Sequence, residues 1–128
     1  MTAAGGTIAE AIDVIEDTYE YMLAYAAQGR REEDPGMRER LVRAEAALTL
    51  LAAAQADQLG AAAGAGKAGE FLDIVRQDAT RARSAVRFVL AQRSIGSQMI
   101  DNLNASTHVR TLLTDVFLLD ETLKLSGL

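Results

Sequence analysis

The chain has 128 residues, of which 49% are hydrophobic and 24% charged, and its net charge at pH 7 is −5. This length and composition indicate a globular protein with a core of its own, and an acidic chain lacks the basic surface that nucleic-acid binding requires. The absence of cysteine excludes disulfides, thiolate metal sites and cysteine nucleophiles. No apolar run approaches the ~18 residues of a membrane span, and there is no signal-peptide pattern. We therefore expect a cytoplasmic protein without membrane contact.

The predicted fold class is all-α, an antiparallel four-helix bundle in which residues 1–128 form a single domain. Apolar residues recur at steps of three and four in every segment, which is typical of helices with one buried face. In the last helix, Asn104 and Ser106 are candidates for a kink or a new cap. The four predicted helices span residues 7–28, 37–59, 70–93 and 97–125.

Local signals mark the ends of these helices. Thr7 and Glu10 have the spacing of a capping box at the start of the first helix. The charged segment Gly29 to Gly36 predicts a turn between the first two helices. The segment Gly60 to Gly69 holds four glycines and no large side chain, and it predicts a linker before the third helix.

The first helix carries five acidic side chains and no basic one: Glu10, Asp13, Glu16, Asp17 and Glu20. At ~100° per residue they lie opposite the apolar stripe. A carboxylate metal site in a bundle would need inward-facing Glu-x-x-His pairs, and the only histidine, His108, has no acid three residues before it. We therefore expect a solvated acidic face, no metal ion, and a surface or boundary position for His108.

Three arginines of the third helix, Arg76, Arg83 and Arg87, share a narrow arc beside the apolar stripe. Guanidinium groups bind carboxylates and phosphates well, so these residues are candidates for gripping an acidic ligand beside an apolar cavity. The favoured alternative is that they pair with the acids of the first helix, in the same chain or a second copy, or are solvated. No catalytic motif is present, so no catalytic residue is assigned and an enzyme is not expected.

Two helices carry more apolar surface than their core contacts require. Tyr21 and Tyr25 widen the apolar face of the first helix, and Leu118 projects opposite the core stripe of the last, at an angle similar to those of Ile100 and Leu125. An aligned apolar set of this kind indicates a contact surface. Tyr21, Tyr25 and Leu118 are therefore the predicted interface residues, in a homodimer or against another protein partner.

Several stretches of the sequence resemble motifs of a known protein family. The first helix opens with Gly6-Thr-Ile-Ala-Glu-Ala-Ile, the second contains Met37 to Leu48 (MRERLVRAEAAL), and a turn at Ser94 to Ser97 precedes the segment Arg110 to Asp115. These stretches resemble the C-terminal helical-bundle domain of acyl-CoA dehydrogenases and related flavin-dependent monooxygenases. The resemblance implies a helical fold and a tendency to associate.

The same resemblance bears on cofactor binding. In the family this domain supplies a Gln-x-x-x-Gly-Gly turn that meets the flavin of a neighbouring subunit; here Gln92 and Gly96 match it and Ser97 replaces the second glycine. The resemblance therefore implies at most one edge of a flavin site that another protein completes, and no cofactor held by this chain alone. The leading interpretation is a non-catalytic helical module that self-associates or docks on a partner, as an accessory piece of a flavoenzyme-like assembly. The alternative is a small-molecule-binding bundle that uses the three arginines.

Overall fold

The computed structural model describes residues 7–63 and 67–125. Within these ranges the chain is all-helical and has no strand, which confirms the predicted fold class. The elements are α1 (Ile8–Ala26), α2 (Pro35–Leu51), a 3₁₀ helix (Ala56–Ala63), α3 (Lys67–Leu90), α4 (Ser97–Ala105) and α5 (Thr107–Leu125). None of the helices in the described ranges combines the length and the apolar content that crossing a membrane would require.

The helix caps near the start of the chain form as predicted. The Thr7 hydroxyl accepts from the Glu10 N–H at 3.1 Å, and the Glu10 carboxylate accepts from the Thr7 N–H at 2.9 Å. Gly29 has a φ of 64°, in the left-handed region that glycine adopts readily, just after α1 ends. Asp34 caps α2, whose first residue is Pro35.

The expectation of four helices is wrong in number, because five α-helices occupy the described residues. The predicted fourth helix divides at Ser106, whose backbone is extended, with φ −60° and ψ 131°. This break separates α4 from α5 and lets each helix turn its own apolar face inward. Ile100 is consequently fully buried, and its predicted exposure beside Leu118 is wrong. The helical angles of the two residues cannot be compared across the break.

The second predicted helix is also shorter than expected. It ends at Leu51, and the 3₁₀ helix that follows inserts Leu59 into the core against α3 and α5. The Ala54 carbonyl, which lies between the two helices, accepts from the Arg76 guanidinium at 2.6 Å. The alanine-rich sequence is equally compatible with one continuous helix. Burial of Leu59 in the core favours the shorter α2 followed by the 3₁₀ helix. The predicted linker is shorter for the same reason, since α3 begins at Lys67.

The helices enclose one apolar core. α1 packs against α2 and α4, α2 packs against α3, and α3 packs against α5. The largest fully buried side chains of this core come from every α-helix. They include Ile12, Leu41, Leu72, Ile100 and Val116. An apolar cavity of about 40 Å³ lies between α1, α2, α3 and α5. Its volume is too small for a small-molecule ligand.

Candidate functional site

The predicted interface residues have different environments. Leu118 is 56% exposed and Leu125 80% exposed, which confirms their outward orientation. Tyr25 is only 1% exposed, so its predicted place on an open surface is wrong. Tyr21 is half-buried and stacks on Tyr25, with the Arg40 guanidinium 4.2 Å from its ring centroid. Tyr25 therefore belongs to the interior and Tyr21 to its edge, while the two leucines are exposed.

Tyr25 is buried because two loops close over it. Its hydroxyl donates to the Ile95 carbonyl at 2.6 Å and accepts from the Asp34 N–H at 3.0 Å. Its own carbonyl accepts from the Ser97 hydroxyl at 2.6 Å, and Ser97 exchanges two further hydrogen bonds with the backbone of Arg30, at 2.8 and 2.9 Å. These hydrogen bonds connect the segments 27–34 and 91–97, and we call the connected region the loop junction.

Arg38 completes the loop junction from α2. Its guanidinium forms a two-point pair with the Glu33 carboxylate at 2.7 and 2.9 Å. It also donates to the carbonyls of Leu90 and Gln92, at 2.7 and 2.8 Å, where α3 ends and its carbonyls need donors. Hydrogen bonding to Arg38, with a further bond from the Ile95 N–H, holds the pKa of Glu33 below its usual value.

The residues expected to contribute to a flavin site, Gln92 and Gly96, both lie in the loop junction. The side-chain amide of Gln92 donates to the Phe88 carbonyl at 2.8 Å. A Cβ atom at Gly96 would lie 2.9 Å from the Arg30 carbonyl oxygen and 3.1 Å from that of Arg31, too close for any side chain without a backbone shift. The close approach of the two loops thus explains this glycine within the chain itself.

The three arginines of α3 are separated by their partners. Arg83 pairs with Glu45 of α2 at 2.6 Å, and Arg76 binds the Ala54 carbonyl and pairs with Asp73 of its own helix. Arg87 is exposed. None of these pairs involves an acid of α1, which was the predicted source of partners. The structure therefore does not bring the arginines together around an apolar cavity.

An open groove of about 550 Å³ lies between α1, α4 and α5. We call it the α1–α5 groove. Its volume is within the roughly 300–1,000 Å³ that ligand pockets usually have. The Tyr19 and Phe117 rings pack edge to face, with 6.5 Å between their centroids. The large apolar side chains of its walls are those of Tyr19, Leu23, Leu113 and Phe117.

The same groove carries unmatched polar groups. Asp101 and Arg110 both line it, and neither forms an ion pair within residues 7–63 and 67–125. The Oδ1 atom of Asn104 is buried there without a hydrogen-bond partner in the described part of the chain. Buried polar atoms in native proteins are nearly always paired, so this oxygen is an exception. No sequence pattern indicated the groove, because it forms only where three helices meet.

Two pairs of acidic side chains lie between helices instead of in solvent. Glu16 of α1 is half-buried against Asp120 of α5, so the prediction that all five acids of α1 are solvated is wrong at this position. Asp78 and Asp115 form a second, deeper carboxyl pair between α3 and α5. His108 is exposed, as expected.

Comparison with protein-family models, curated proteins and solved structures finds no match to this chain.

Proposed function

We propose that this protein is a non-catalytic helical module that self-associates through the outer face of α5 and the adjoining α1–α5 groove. The observation that carries the proposal is the exposed apolar surface at this place. Phe117 and Leu118 are consecutive and about half exposed, Leu125 lies two turns beyond Leu118, and Leu23 of α1 is half exposed on the facing wall. Large exposed apolar side chains grouped around a groove are characteristic of interaction surfaces.

The charges of the groove favour a second copy of this chain as the occupant. A two-fold axis places each residue of one copy against a residue of the other and repeats the contact in reverse. Arg110 and Asp101, which have no ion-pair partner within the described residues, can then pair across the axis twice, each arginine with the aspartate of the second copy. A surface that carries one unmatched charge of each sign is complementary to itself.

Binding of a small-molecule ligand is the second candidate function. Its candidate site is the α1–α5 groove and not the predicted site at the α3 arginines. The α3 arginines are held by other partners or exposed, whereas the groove combines a suitable volume with the guanidinium of Arg110. An amphipathic anion would fit there, with its charge on Arg110 and its apolar part against Phe117. Calorimetric titration with such anions distinguishes this candidate from self-association.

We infer two further points, one about the arrangement of the helices and one about the biological assembly. With α4 and α5 taken together as one arm, the short connections support an antiparallel arrangement of four arms. A role as an accessory subunit of a flavoenzyme-like assembly in the cytoplasm remains a proposal that rests on the sequence resemblance. Purified protein without a flavin absorbance band is the expected result for this chain alone.

Replacing Leu118 with aspartate is expected to convert a dimer into a folded monomer. The charge would lie in the interface, while the core would be unaffected because the side chain is 56% exposed in the single chain. Size exclusion coupled to light scattering at tens of micromolar measures the mass, and circular dichroism measures the helix content. The matched control is Val42→Asp on α2, which alters an equally exposed apolar residue on another helix and should remain dimeric.

A monomeric wild-type protein at these concentrations would refute self-association and leave the ligand candidate. If Leu118→Asp and Val42→Asp weaken the dimer equally, the interface lies elsewhere. Loss of helix content in Leu118→Asp would show that the leucine supports the fold rather than an interface.

A further inference from the structure

Helix α5 packs on the bundle through its buried apolar side chains, and a pair of carboxyl groups lies on each side of it. Asp115 meets Asp78 of α3, and Asp120 meets Glu16 of α1. Two carboxylates brought together would repel each other, so a favourable contact needs a proton that one carboxyl group donates to the other. Both pairs join α5 to a helix that is distant in sequence.

The pair between α3 and α5 is deeply buried. Asp78 is 8% exposed and Asp115 6% exposed, and the Oδ2 atom of each is buried without a donor among the described residues. One shared proton supplies the missing donor, since the O–H of one acid then donates to the oxygen of the other. The nearest cation is Arg81, whose guanidinium lies 3.4 Å from Asp78 Oδ1 and is itself largely exposed.

Burial, followed by hydrogen bonding to Asp78 and its charge, raises the pKa of Asp115 from 3.8 to about 7. Such a pair titrates as a unit, so the value describes the proton that the two acids share.

The pair between α1 and α5 is shallower but has the same character. Burial, then hydrogen bonding to Asp120 and its charge, raises the pKa of Glu16 from 4.5 to about 7. Lys124 of α5 lies 3.1 Å from Asp120 Oδ2 and opposes the shift, whereas Asp13 of α1 adds to it. This pair therefore also keeps a proton up to neutral pH.

The other elements packed on α5 do not relieve either pair. The acids of α4 and of the 3₁₀ helix, Asp101 and Asp57, are both exposed and do not shift the pKa of Asp115 or Glu16. The extended backbone at Ser106 separates α5 from α4.

We propose that the docking of α5 is proton-linked: one shared proton in each of the two carboxyl pairs strengthens it, and it weakens as the pH rises through neutrality. The sign follows from linkage. Because the pKa values of Asp115 and Glu16 are raised on folding, the docked state binds more protons between about pH 4 and about pH 7, and its stability falls as the pH rises through that window. Above it each pair carries two negative charges and has lost its hydrogen bond.

Native-state hydrogen exchange tests the proposal on the whole chain. The ratio of α5 to α2 protection factors, corrected for intrinsic exchange, should fall at least about tenfold between about pH 5 and about pH 8, since one pKa unit corresponds to a factor of ten. The double variant Asp115→Asn with Glu16→Gln keeps a donor in each pair at every pH, and its ratio should change less than about threefold. The control Asp17→Asn, an exposed acid of α1, should behave as the wild type.

A constant wild-type ratio would overturn the proposal, as would a double variant that follows the wild type. If the double variant does not fold, carbon-detected NMR titration of the wild-type carboxyl groups decides. Midpoints near pH 7 in both pairs support the proposal, and midpoints near pH 4 throughout refute it. The proposal does not depend on self-association, because every residue it uses lies within one chain.

Discussion

Replacing Tyr25 with alanine is expected to lower the free energy of unfolding by about 4 kcal/mol, in the range for removing a buried aromatic side chain. The ring is 1% exposed and fills the space beneath the loop junction. Its loss also removes the acceptor of the Asp34 N–H and the donor to the Ile95 carbonyl. Urea denaturation followed by circular dichroism measures the change, and the helix content before denaturation shows whether the variant folds.

The conservative variant Tyr25→Phe separates the hydroxyl from the ring. We expect it to lose about 1–2 kcal/mol, because the ring remains while two buried hydrogen bonds disappear. Tyr19→Phe is the matched control, since the Tyr19 hydroxyl makes no hydrogen bond within the described ranges, and it should change stability by less than about 0.5 kcal/mol. Equal effects of the two variants would contradict the role given to the loop junction.

The second large effect is expected at Arg38. Replacing it with alanine should cost about 2–3 kcal/mol, because it removes the pair with Glu33 and leaves the carbonyls of Leu90 and Gln92 without their donor. The estimate is reduced for the partial exposure of the guanidinium. Arg43→Ala is the control, since Arg43 lies exposed on the same helix, and it should be nearly neutral. Urea denaturation at neutral pH makes the comparison.

The cost of Arg38→Ala should also depend on pH. Hydrogen bonding to Arg38 lowers the pKa of Glu33, so the pair stabilises the fold above the usual pKa of the carboxyl group, and this contribution is lost as the pH falls through the lowered value. The difference between wild type and variant should therefore shrink in acid. An undiminished difference at about pH 3 would show that the ion pair with Glu33 contributes little.

Local signals predicted the parts of the fold that depend on a few neighbouring residues. The spacing of Thr7 and Glu10 predicted the cap of α1, and the angle of Leu118 against the core stripe predicted its exposure. The burial of Tyr25 could not be predicted in this way, because it depends on Ile95 and Ser97, about seventy residues away.

A helical wheel assumes one uninterrupted helix, and it fails where the helix breaks. The angle assigned to Ile100 was measured from Leu118 across the break at Ser106, so its exposure was predicted wrongly. The carboxyl pairs had a sequence signal that went unused. Asp78 lies one turn from Val75 and next to Ala79, and Asp115 is adjacent to Val116, so both acids fall at the edge of a buried stripe. Their meeting could be recognised only once α3 and α5 were placed together.

Mixing two charge-reversed variants tests the proposed self-association most directly. Arg110→Glu and Asp101→Arg each place like charges across the two-fold axis, so each alone should dimerise at least about tenfold more weakly than the wild type. In an equimolar mixture, the glutamate of one variant faces the arginine of the other, and the native pair forms at the second position. Analytical ultracentrifugation should then show a heterodimer with close to wild-type affinity. A mixture no tighter than either variant alone, or a wild type that stays monomeric, would contradict the proposed dimer.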